Sequence, residues 1–452
     1  MTSLGGSGIT WPSVPEVVAV LLLQGGYNTT VVMVGVTLLG IAAGTVGTFA
    51  VLRKRAMMSD TMSHATLPGI GLAFLAAVAL GAEGRSLPVL LGGAAVAGVV
   101  GVAVVHGIAR HTRLPEDAAM GAVLSVFFGL GFVVLSYIQT LGTGAEGGIS
   151  KFIYGQTAAM SARDAITIAA VAVGVVVATL LLFKEFRLVC FDPEFAEVQG
   201  WPVSAIDLLM MGLVVVVTVI GLQAVGLILI IALVIIPAAA ARFWTDRLWL
   251  MTVIAAGFGA VSGYVGAALS ALMERFPAGG IIVLVAGALF VISLFFAPGR
   301  GVLAGSARLL RLRLEVEAQH VLRGVFEQTE ARGAPLTTPV STDALAFAGT
   351  WSAPWRTAVL MFLWARGLIA RPSTPLTLTD TGAAEAWRQT RSHRLWEAYF
   401  ARHVAIAPGR VNRLADMAEH VLDPGIVARL EEQLARDGRL PMPGGLARPV
   451  RE

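Results

Sequence analysis

The sequence predicts an all-α polytopic membrane protein with eight or nine transmembrane helices, followed by a mainly α-helical cytoplasmic domain. Of the 452 residues, 56% are hydrophobic and 14% are charged, whereas about 25% charged residues is usual in soluble proteins. Residues 1–299 hold 13 basic and 14 acidic residues, and the shorter remainder holds 20 and 15. Apolar stretches of about 20 residues, enough to cross a bilayer, recur before residue 300.

Nine apolar stretches are candidates for transmembrane helices. Only Gly221-Leu222-Gln223 separates the sixth stretch from the seventh, so eight spans is the alternative. Small residues are abundant in these stretches and let helices approach closely in lipid, which predicts a compact bundle. The stretches lie at 27–52, 57–81, 87–109, 118–140, 164–183, 205–221, 223–241, 247–273 and 279–297.

Basic residues predict which side of the membrane each end faces. Positive charge follows every odd-numbered span, which places those ends in the cytoplasm. In the nine-span reading the N-terminus is then outside and the C-terminal part inside, whereas eight spans would put the N-terminus inside as well. The residues concerned are Arg53, Lys54, Arg55, Arg110, Arg113, Lys184, Arg187, Arg242, Arg247 and Arg300.

Cysteine content and net charge exclude some classes of protein. The single cysteine, Cys190, excludes an intramolecular disulfide framework and a cysteine-based zinc finger. A net charge of +4 is weak evidence for nucleic-acid binding, which usually involves a concentrated basic face.

Asp60 and His64 are ionisable residues at the start of the second span. They lie four residues apart and therefore share a helix face. A carboxylate and an imidazole together suit a divalent cation such as Mn²⁺, Zn²⁺ or Fe²⁺. Two ligands are few, but a two-fold pair of such helices would supply four. The alternative is that Asp60 caps the helix and His64 makes an ordinary interhelical hydrogen bond.

Five motifs lie at 49–69, 114–119, 191–196, 225–239 and 296–301. In this order they resemble motifs of the permeases of ABC transporters that import zinc, manganese or iron ions. The resemblance covers roughly residues 20–303 and includes the run Ser59-Asp60-Thr61-Met62-Ser63-His64. It implies that Asp60 and His64 take part in metal passage. It also implies an extracellular or periplasmic metal-binding protein and a second permease chain, identical or paralogous, as partners.

The loop at 185–203 gains a role from the same resemblance. A short helix at 193–199 looks like the coupling helix that docks into the ATPase subunit, although a plain linker is the alternative. The residues expected to couple are Asp192, Pro193, Glu194, Glu197 and Gly200.

The chain lacks an ATP-binding motif of its own. A P-loop needs Gly-Lys-[Ser/Thr], and no glycine precedes Lys54, Lys151 or Lys184, the only lysines. We therefore expect no enzymatic activity in this chain and a separate cytoplasmic ATPase as partner.

The C-terminal part is amphipathic and predicts a winged helix followed by helices. The predicted helices are 314–331, 342–348, 352–366, 381–404, 409–422 and 424–437, with a wing or hairpin at 368–378.

Three clusters of histidine and acidic residues occur in this part. Glu317 and His320 are three residues apart, and His393 and Glu397 are four apart. Asp416, Glu419 and His420 share one helix face. Such ligands without thiolate suit Mn²⁺ or Fe²⁺, and zinc also accepts them. The alternative is that each pair is an ordinary solvated helix face.

Residues 314–440 resemble the diphtheria-toxin-repressor family of metal-dependent regulators, through motifs at 377–382, 392–397 and 415–420. The resemblance implies primary metal ligands at His320, Asp416, Glu419 and His420, with Glu317 at a nearby ligand position of manganese-responsive members. It implies ancillary ligands at His393 and Glu397, but Asn412 stands where an ancillary histidine is expected. Asp416 replaces the thiolate of iron-responsive members, which favours manganese.

The helix expected to read DNA, 352–366, has only Arg356 and Arg366 among apolar residues. DNA reading needs donors to phosphates and base edges. We therefore expect no nucleic-acid partner and a helix that packs against protein.

The resulting hypothesis is a permease for divalent metal ions, manganese ahead of zinc or iron, in the bacterial cytoplasmic (inner) membrane. It has a fused metal-sensing domain in the cytoplasm and no permanently bound cofactor. The alternatives are a membrane-tethered metal-responsive transcription regulator and, with little support, a permease for metal chelates. The expected segments are 1–26 with an interfacial helix, 27–300 transmembrane, 301–380 winged-helix-like, 381–440 metal-binding and dimerising, and 441–452 tail.

Overall fold

The computed structural model describes residues 13–53, 55, 57–81, 87–140, 157, 160–273, 277–341, 351–403 and 432. The chain divides into two compact units, Met1–Ala304 and Gly305–Glu452. The helices described in the first unit are α1 Val14–Leu21, α2 Tyr27–Leu52, α3 Met57–Ala79, α4 Leu87–His111, α5 Glu116–Thr140, α6 Ala162–Leu181, α7 Phe183–Phe191, α8 Pro193–Val198, α9 Val203–Val225, α10 Leu227–Arg242, α11 Leu248–Leu272 and α12 Ala278–Phe296.

Eight helices of the described residues are long and apolar enough to cross a membrane, namely α2 to α6, α9, α11 and α12. The seventh predicted span corresponds to α10, a shorter apolar helix of 16 residues. The predicted all-α membrane fold is confirmed.

The predicted division between the sixth and seventh spans, at residues 221–223, is wrong. α9 continues to Val225, and the break falls at Gly226, which caps both helices with φ +84°. A positive φ is readily adopted by glycine alone among the common residues, which explains why the chain turns there.

Helix α2 packs closely against α11 and α10 because glycines face these helices. A Cβ atom at Gly40 would overlap the carbonyl group of Gly259 on α11, and one at Gly47 would overlap that of Val234 on α10. Small residues of this kind allow close van der Waals packing between helices in lipid. Together with α6 and α9, these helices enclose one of the apolar cores of the unit.

A second apolar core joins α3, α4, α5 and α9. It also includes Phe186 and Val189 of α7 and Ala196 of α8. The segment between α6 and α9 therefore shares a core with α3, the helix that carries the motif at 59–64.

The remaining described helices are α13 Val302–Ala331, which begins just before the second unit and continues into it, and α14 Ala353–Ala365 and α15 Asp380–His403 of the second unit. The first predicted helix was expected to begin at residue 314, and this start is wrong because α13 already begins at Val302. Its apolar face packs with α14 and with Leu376 and Leu378. Isolated bridges join Val340 to Leu376 and Ile369 to Leu378 at the position of the expected wing. The helices predicted at 342–348, 409–422 and 424–437 lie outside the described residues, apart from position 432.

Candidate metal centre

Asp60 and His64 lie in the first two turns of α3, as their spacing predicted. The Oδ1 atom of Asp60 is 3.4 Å from Nε2 of His64, and both side chains are partly exposed. This distance exceeds that of an ordinary N–H···O hydrogen bond. The pair therefore presents an oxygen and a nitrogen on one face, in an arrangement that suits a divalent cation.

Two features describe the surroundings of the His64 ring. The ring of His64 meets Phe128 of α5 edge-on, with 4.9 Å between the ring centroids. Its Nδ1 atom is buried without a hydrogen-bond partner within the part of the chain that the structure describes. A buried imidazole nitrogen without a partner is costly, and such a group is often part of a functional site.

Pro68 interrupts the backbone hydrogen bonding of α3 close to this pair in sequence. It lies inside α3, four residues after His64. Proline has no N–H, so the helical hydrogen bond from position 68 to the carbonyl oxygen of His64 is missing. The backbone therefore leaves one oxygen of His64 without its usual helical donor.

Within the described residues, no three histidine, cysteine, aspartate or glutamate side chains come together as a metal-binding group. Asp60 and His64 are thus a pair of candidate ligands, without a third such side chain beside them in that part of the chain.

A partly buried cluster of charges lies beside the start of α3 and was missed by the sequence analysis. We call it the Arg55 cluster; it consists of Arg53, Arg55, Glu116 and Asp207. Arg55 donates to both carboxylates, with 2.6 Å between its Nε atom and Oε2 of Glu116. Arg53 shares Asp207 through a 3.1 Å contact.

Arg55 and Asp207 are only 7% and 4% exposed. Burial alone would lower the pKa of Arg55, but hydrogen bonds and charges from Glu116 and Asp207 outweigh it and raise the pKa above its ordinary value. The guanidinium therefore stays charged. The sequence signal for this cluster was Asp207, a carboxylate in an otherwise apolar stretch, since such residues are rarely without a function.

The segment expected to couple to an ATPase forms two helices, α7 and α8. The Asp192 carboxylate caps α8 by accepting the N–H of Phe195 at 3.0 Å, and Pro193 occupies the first helical position. At the other end, the N–H groups of Gly200 and Trp201 donate to the carbonyls of Glu197 and Ala196. This is a Schellman motif, which needs the positive φ of Gly200.

The exposed surface of α7 and α8 is apolar and is bordered by acidic side chains. Phe191, Phe195 and Val198 are exposed, and Val198 reaches 87%. Glu194 and Glu197 are exposed beside them. Ala196 is buried in the core of the unit. One side of α8 therefore packs against that core, while Phe195 and Val198 remain exposed.

In the second unit, Glu317 and His320 lie on α13. Oε2 of Glu317 is 3.9 Å from Nδ1 of His320, and both side chains are partly exposed. Burial raises the pKa of Glu317. Asp416, Glu419 and His420, predicted to complete this site, lie outside the described residues, as does Asn412.

His393 and Glu397 lie on α15. His393 is only 3% exposed, and its Nδ1 atom is 2.9 Å from Nη1 of Arg323. Because a guanidinium can only donate, Nδ1 is the acceptor in this hydrogen bond. A cationic group thus already contacts the histidine for which an ancillary metal was expected. Glu397 is half-buried.

The expected DNA-reading helix, α14, offers little free charge. Arg366 is 2.5 Å from Oε1 of Glu315 and lies over the ring of Phe362. Met361 and Trp364 are exposed instead.

Comparison with known proteins decides the family. The model of the ABC 3 transport family matches residues 27–297, which include the Asp60–His64 pair, the Arg55 cluster and α7–α8. The chain belongs to the ABC 3 transport family. The model of the iron dependent repressor metal binding and dimerisation domain matches residues 379–440. The first resemblance drawn from the sequence is therefore confirmed, and the second is confirmed over residues 379–440.

Several members of the ABC 3 transport family are similar to this chain. The manganese transport system membrane protein MntC of Bacillus subtilis is 43% identical over 67% of this chain and 68% of its own length. The zinc transport system membrane protein TroC of Treponema pallidum is 41% identical over 66% of this chain and 98% of its own length.

A solved structure supports the same family assignment. PsaBC from Streptococcus pneumoniae, determined in complex with Fab, is 29% identical, with a TM-score of 0.54, over 64% of this chain and 98% of that chain. The chain is thus a multi-pass membrane protein of a transport family, with a repressor-type metal-binding domain after it.

Proposed function

We propose that this chain is the permease subunit of an ATP-driven importer of divalent transition-metal ions, with Mn²⁺ as the first candidate and Zn²⁺ or Fe²⁺ next. The observation that carries the proposal is the Asp60–His64 pair, 3.4 Å apart on a membrane-spanning helix. Similar proteins named for manganese and for zinc transport support the substrate class.

The donor atoms favour manganese. Oxygen ligands suit Mn²⁺, imidazole also suits zinc and iron, and thiolates would favour softer ions. The Asp60–His64 pair itself offers a carboxylate and an imidazole and no thiolate. Asp60, the imidazole of His64 and the His64 carbonyl oxygen contact the ion as it passes.

Two side chains are too few to surround an ion, so the site requires a second pair of ligands. In our proposal a second permease chain, identical or paralogous, supplies another pair, so that four side chains surround the ion. The family's architecture further suggests an extracellular or periplasmic protein that delivers the metal.

Energy comes from a separate cytoplasmic ATPase that docks on α7–α8. The exposed side chains of Phe195 and Val198 supply apolar contact, and Asp192, Pro193 and Gly200 hold the helix in shape. Glu194 and Glu197 supply the charged border. The chain lies in the bacterial cytoplasmic membrane, with this segment and the C-terminal unit in the cytoplasm.

The second unit senses cytoplasmic metal. Glu317 and His320 offer an oxygen and a nitrogen donor on one helix, which fits Mn²⁺, and we assign Asp416, Glu419 and His420 to the same site. Metal bound there would favour whichever state of the transporter binds it more tightly. We propose that this is the inhibited state. His393 and Glu397 remain candidates for an ancillary site, in which Arg323 competes with a cation.

A membrane-tethered transcription regulator is the second candidate function. It rests on the repressor-type domain, but the pairing of Arg366 with Glu315 removes one of the two basic side chains of α14. A gel-shift assay with the full-length protein and genomic fragments tests it, and sequence-specific retardation would favour the regulator.

Uptake measurements test the main proposal. Radiolabelled Mn²⁺ uptake is measured in cells that carry this chain with its ATPase and binding protein, with unlabelled Zn²⁺ and Fe²⁺ as competitors. We expect Asp60→Ala and His64→Ala to abolish uptake and Asp246→Asn, at an exposed aspartate, to leave it unchanged. Better competition by Zn²⁺ would overturn the choice of manganese. No uptake by an assembled complex would overturn the permease proposal.

A further inference from the structure

The Arg55 cluster connects three parts of the membrane unit that are distant in sequence. Arg55 lies between α2 and α3, Glu116 begins α5, and Asp207 lies in the first two turns of α9. Arg53 adds a fourth element, because its Nη1 atom donates to the carbonyl oxygen of Val189 on α7 at 3.1 Å.

The charges in the cluster balance, with two guanidinium groups and two carboxylates. Each guanidinium presents its donors in a rigid planar fork, so Arg55 holds Glu116 and Asp207 in a fixed relation. Separating Arg55 from Asp207 would leave two buried charges poorly compensated, and this is strongly unfavourable. The four side chains are therefore expected to move together rather than one at a time.

The cluster is also joined to the candidate metal pair. The N–H of Met58, in the first turn of α3, donates to the carbonyl oxygen of Arg55 at 2.9 Å. Asp60 follows two residues later on the same helix. A displacement of Arg55 must therefore change the position of the turn that carries Asp60.

At its other end, the cluster reaches the segment proposed to contact the ATPase. Val189 is fully buried on α7, and the short turn at Asp192 leads directly into α8. The contacts form one continuous series of polar groups from the Val189 carbonyl through Arg53, Asp207 and Arg55 to the start of α3.

We propose that the Arg55 cluster is the positioning element that links movement of α7–α8 to movement of the Asp60–His64 pair. Arg53, Arg55 and Asp207 act through other residues and do not touch the ion. The inference rests on the proposed function, because it assumes that ATP hydrolysis drives metal passage through this chain. It adds to that function the residues through which the two events are joined.

The test is the ratio of metal ions transported to ATP molecules hydrolysed, measured with Mn²⁺ in proteoliposomes containing the assembled complex. Asp207→Asn keeps the shape of the side chain and removes its charge. We expect this ratio to fall at least tenfold while ATP hydrolysis persists. Asp246→Asn is the matched control, because Asp246 forms an exposed ion pair with Arg300, and its ratio should equal that of the wild type.

A milder variant, Arg53→Lys, provides a second test in case the Asp207→Asn complex does not assemble. Arg53→Lys keeps the charge but loses the fork that contacts both Asp207 and the Val189 carbonyl, and its ratio should also fall. A purely structural role would lower transport and hydrolysis together, and an unchanged ratio in the variants that assemble would overturn the inference. A wild-type complex that hydrolyses ATP without moving metal would instead overturn the proposed function and this inference with it.

Discussion

The Oδ1 atom of Asp60 lies 3.4 Å from the Nε2 atom of His64, one helical turn further along α3. A carboxylate oxygen and an imidazole nitrogen differ in the metals they prefer, since carboxylates suit Mn²⁺ and imidazole suits Zn²⁺ as well. The side chain at position 64 should therefore set the selectivity of the proposed transport path.

His64→Asp tests this selectivity. The substitution leaves two carboxylates, so we expect Zn²⁺ to compete less well against labelled Mn²⁺ uptake. A change of about tenfold in the ratio of the two half-inhibitory concentrations would correspond to about 1.4 kcal/mol. His111→Asp, at an exposed histidine of α4, is the control. An unchanged ratio in His64→Asp would contradict a role for this side chain in contacting the ion.

Pro68→Ala tests the contribution of the His64 carbonyl oxygen. Alanine supplies the missing N–H, so the oxygen gains its helical partner, and a proline in a helix interior costs about 3 kcal/mol. We expect the variant to be more stable to heat but to lose Mn²⁺ uptake by about fivefold, equivalent to about 1 kcal/mol in the barrier.

Pro88→Ala is the matched control for this measurement. Pro88 is the second residue of α4, where the N–H has no helical acceptor. Uptake and melting temperature should both stay near the wild-type values. Full uptake by Pro68→Ala would show that the carbonyl oxygen is not needed.

The sequence predicts local arrangements better than distant ones, and the two polar groups of the membrane unit illustrate this. Asp60 and His64 share a face because four residues make one helical turn, so their proximity follows from helix formation alone. Arg55 and Asp207 are 152 residues apart. Their contact depends on how α9 packs beside α3, which hydrophobic periodicity does not specify. The basic run at 53–55 was therefore interpreted as a marker of the cytoplasmic side and as part of a family motif, and not as a partner of Asp207.

Helix ends were predicted less well for a related reason. The apolar pattern continues from α9 into α10 with little change, and only the positive φ of Gly226 marks the break. Similarly, the helix predicted to begin at residue 314 begins at Val302, so the arginines at 308–313 lie inside α13. At Gly226 the backbone conformation, rather than polarity, sets the boundary.

Gly40→Ala tests the packing of α2 against α11. A Cβ atom at Gly40 would overlap the backbone of Gly259, and overpacking of this kind typically costs about 1–3 kcal/mol. We expect a lower melting temperature for the purified complex. Gly212→Ala on α9 is the control, since nothing lies within 4 Å of the added atom. An equal loss of stability in both variants would show that close packing at Gly40 is not the cause.

His320→Ala in the full-length chain tests the proposed metal sensor. Glu317 and His320 are 3.9 Å apart on α13, and loss of the imidazole should weaken metal binding there without touching the membrane unit. In cells depleted of Mn²⁺, we expect uptake equal to that of the wild type. In cells preloaded with Mn²⁺, uptake should be suppressed in the wild type but not in the variant.

Glu330→Gln is the control for this sensor experiment. It removes a carboxylate from the same helix, α13, but this carboxylate contacts Arg394 and not His320. It should be suppressed by preloaded Mn²⁺ to the same extent as the wild type. Since a ligand shifts an equilibrium only by its differential affinity for the two states, loss of suppression in His320→Ala alone would locate that difference at this site. Equal suppression in His320→Ala would mean that the inhibition arises elsewhere.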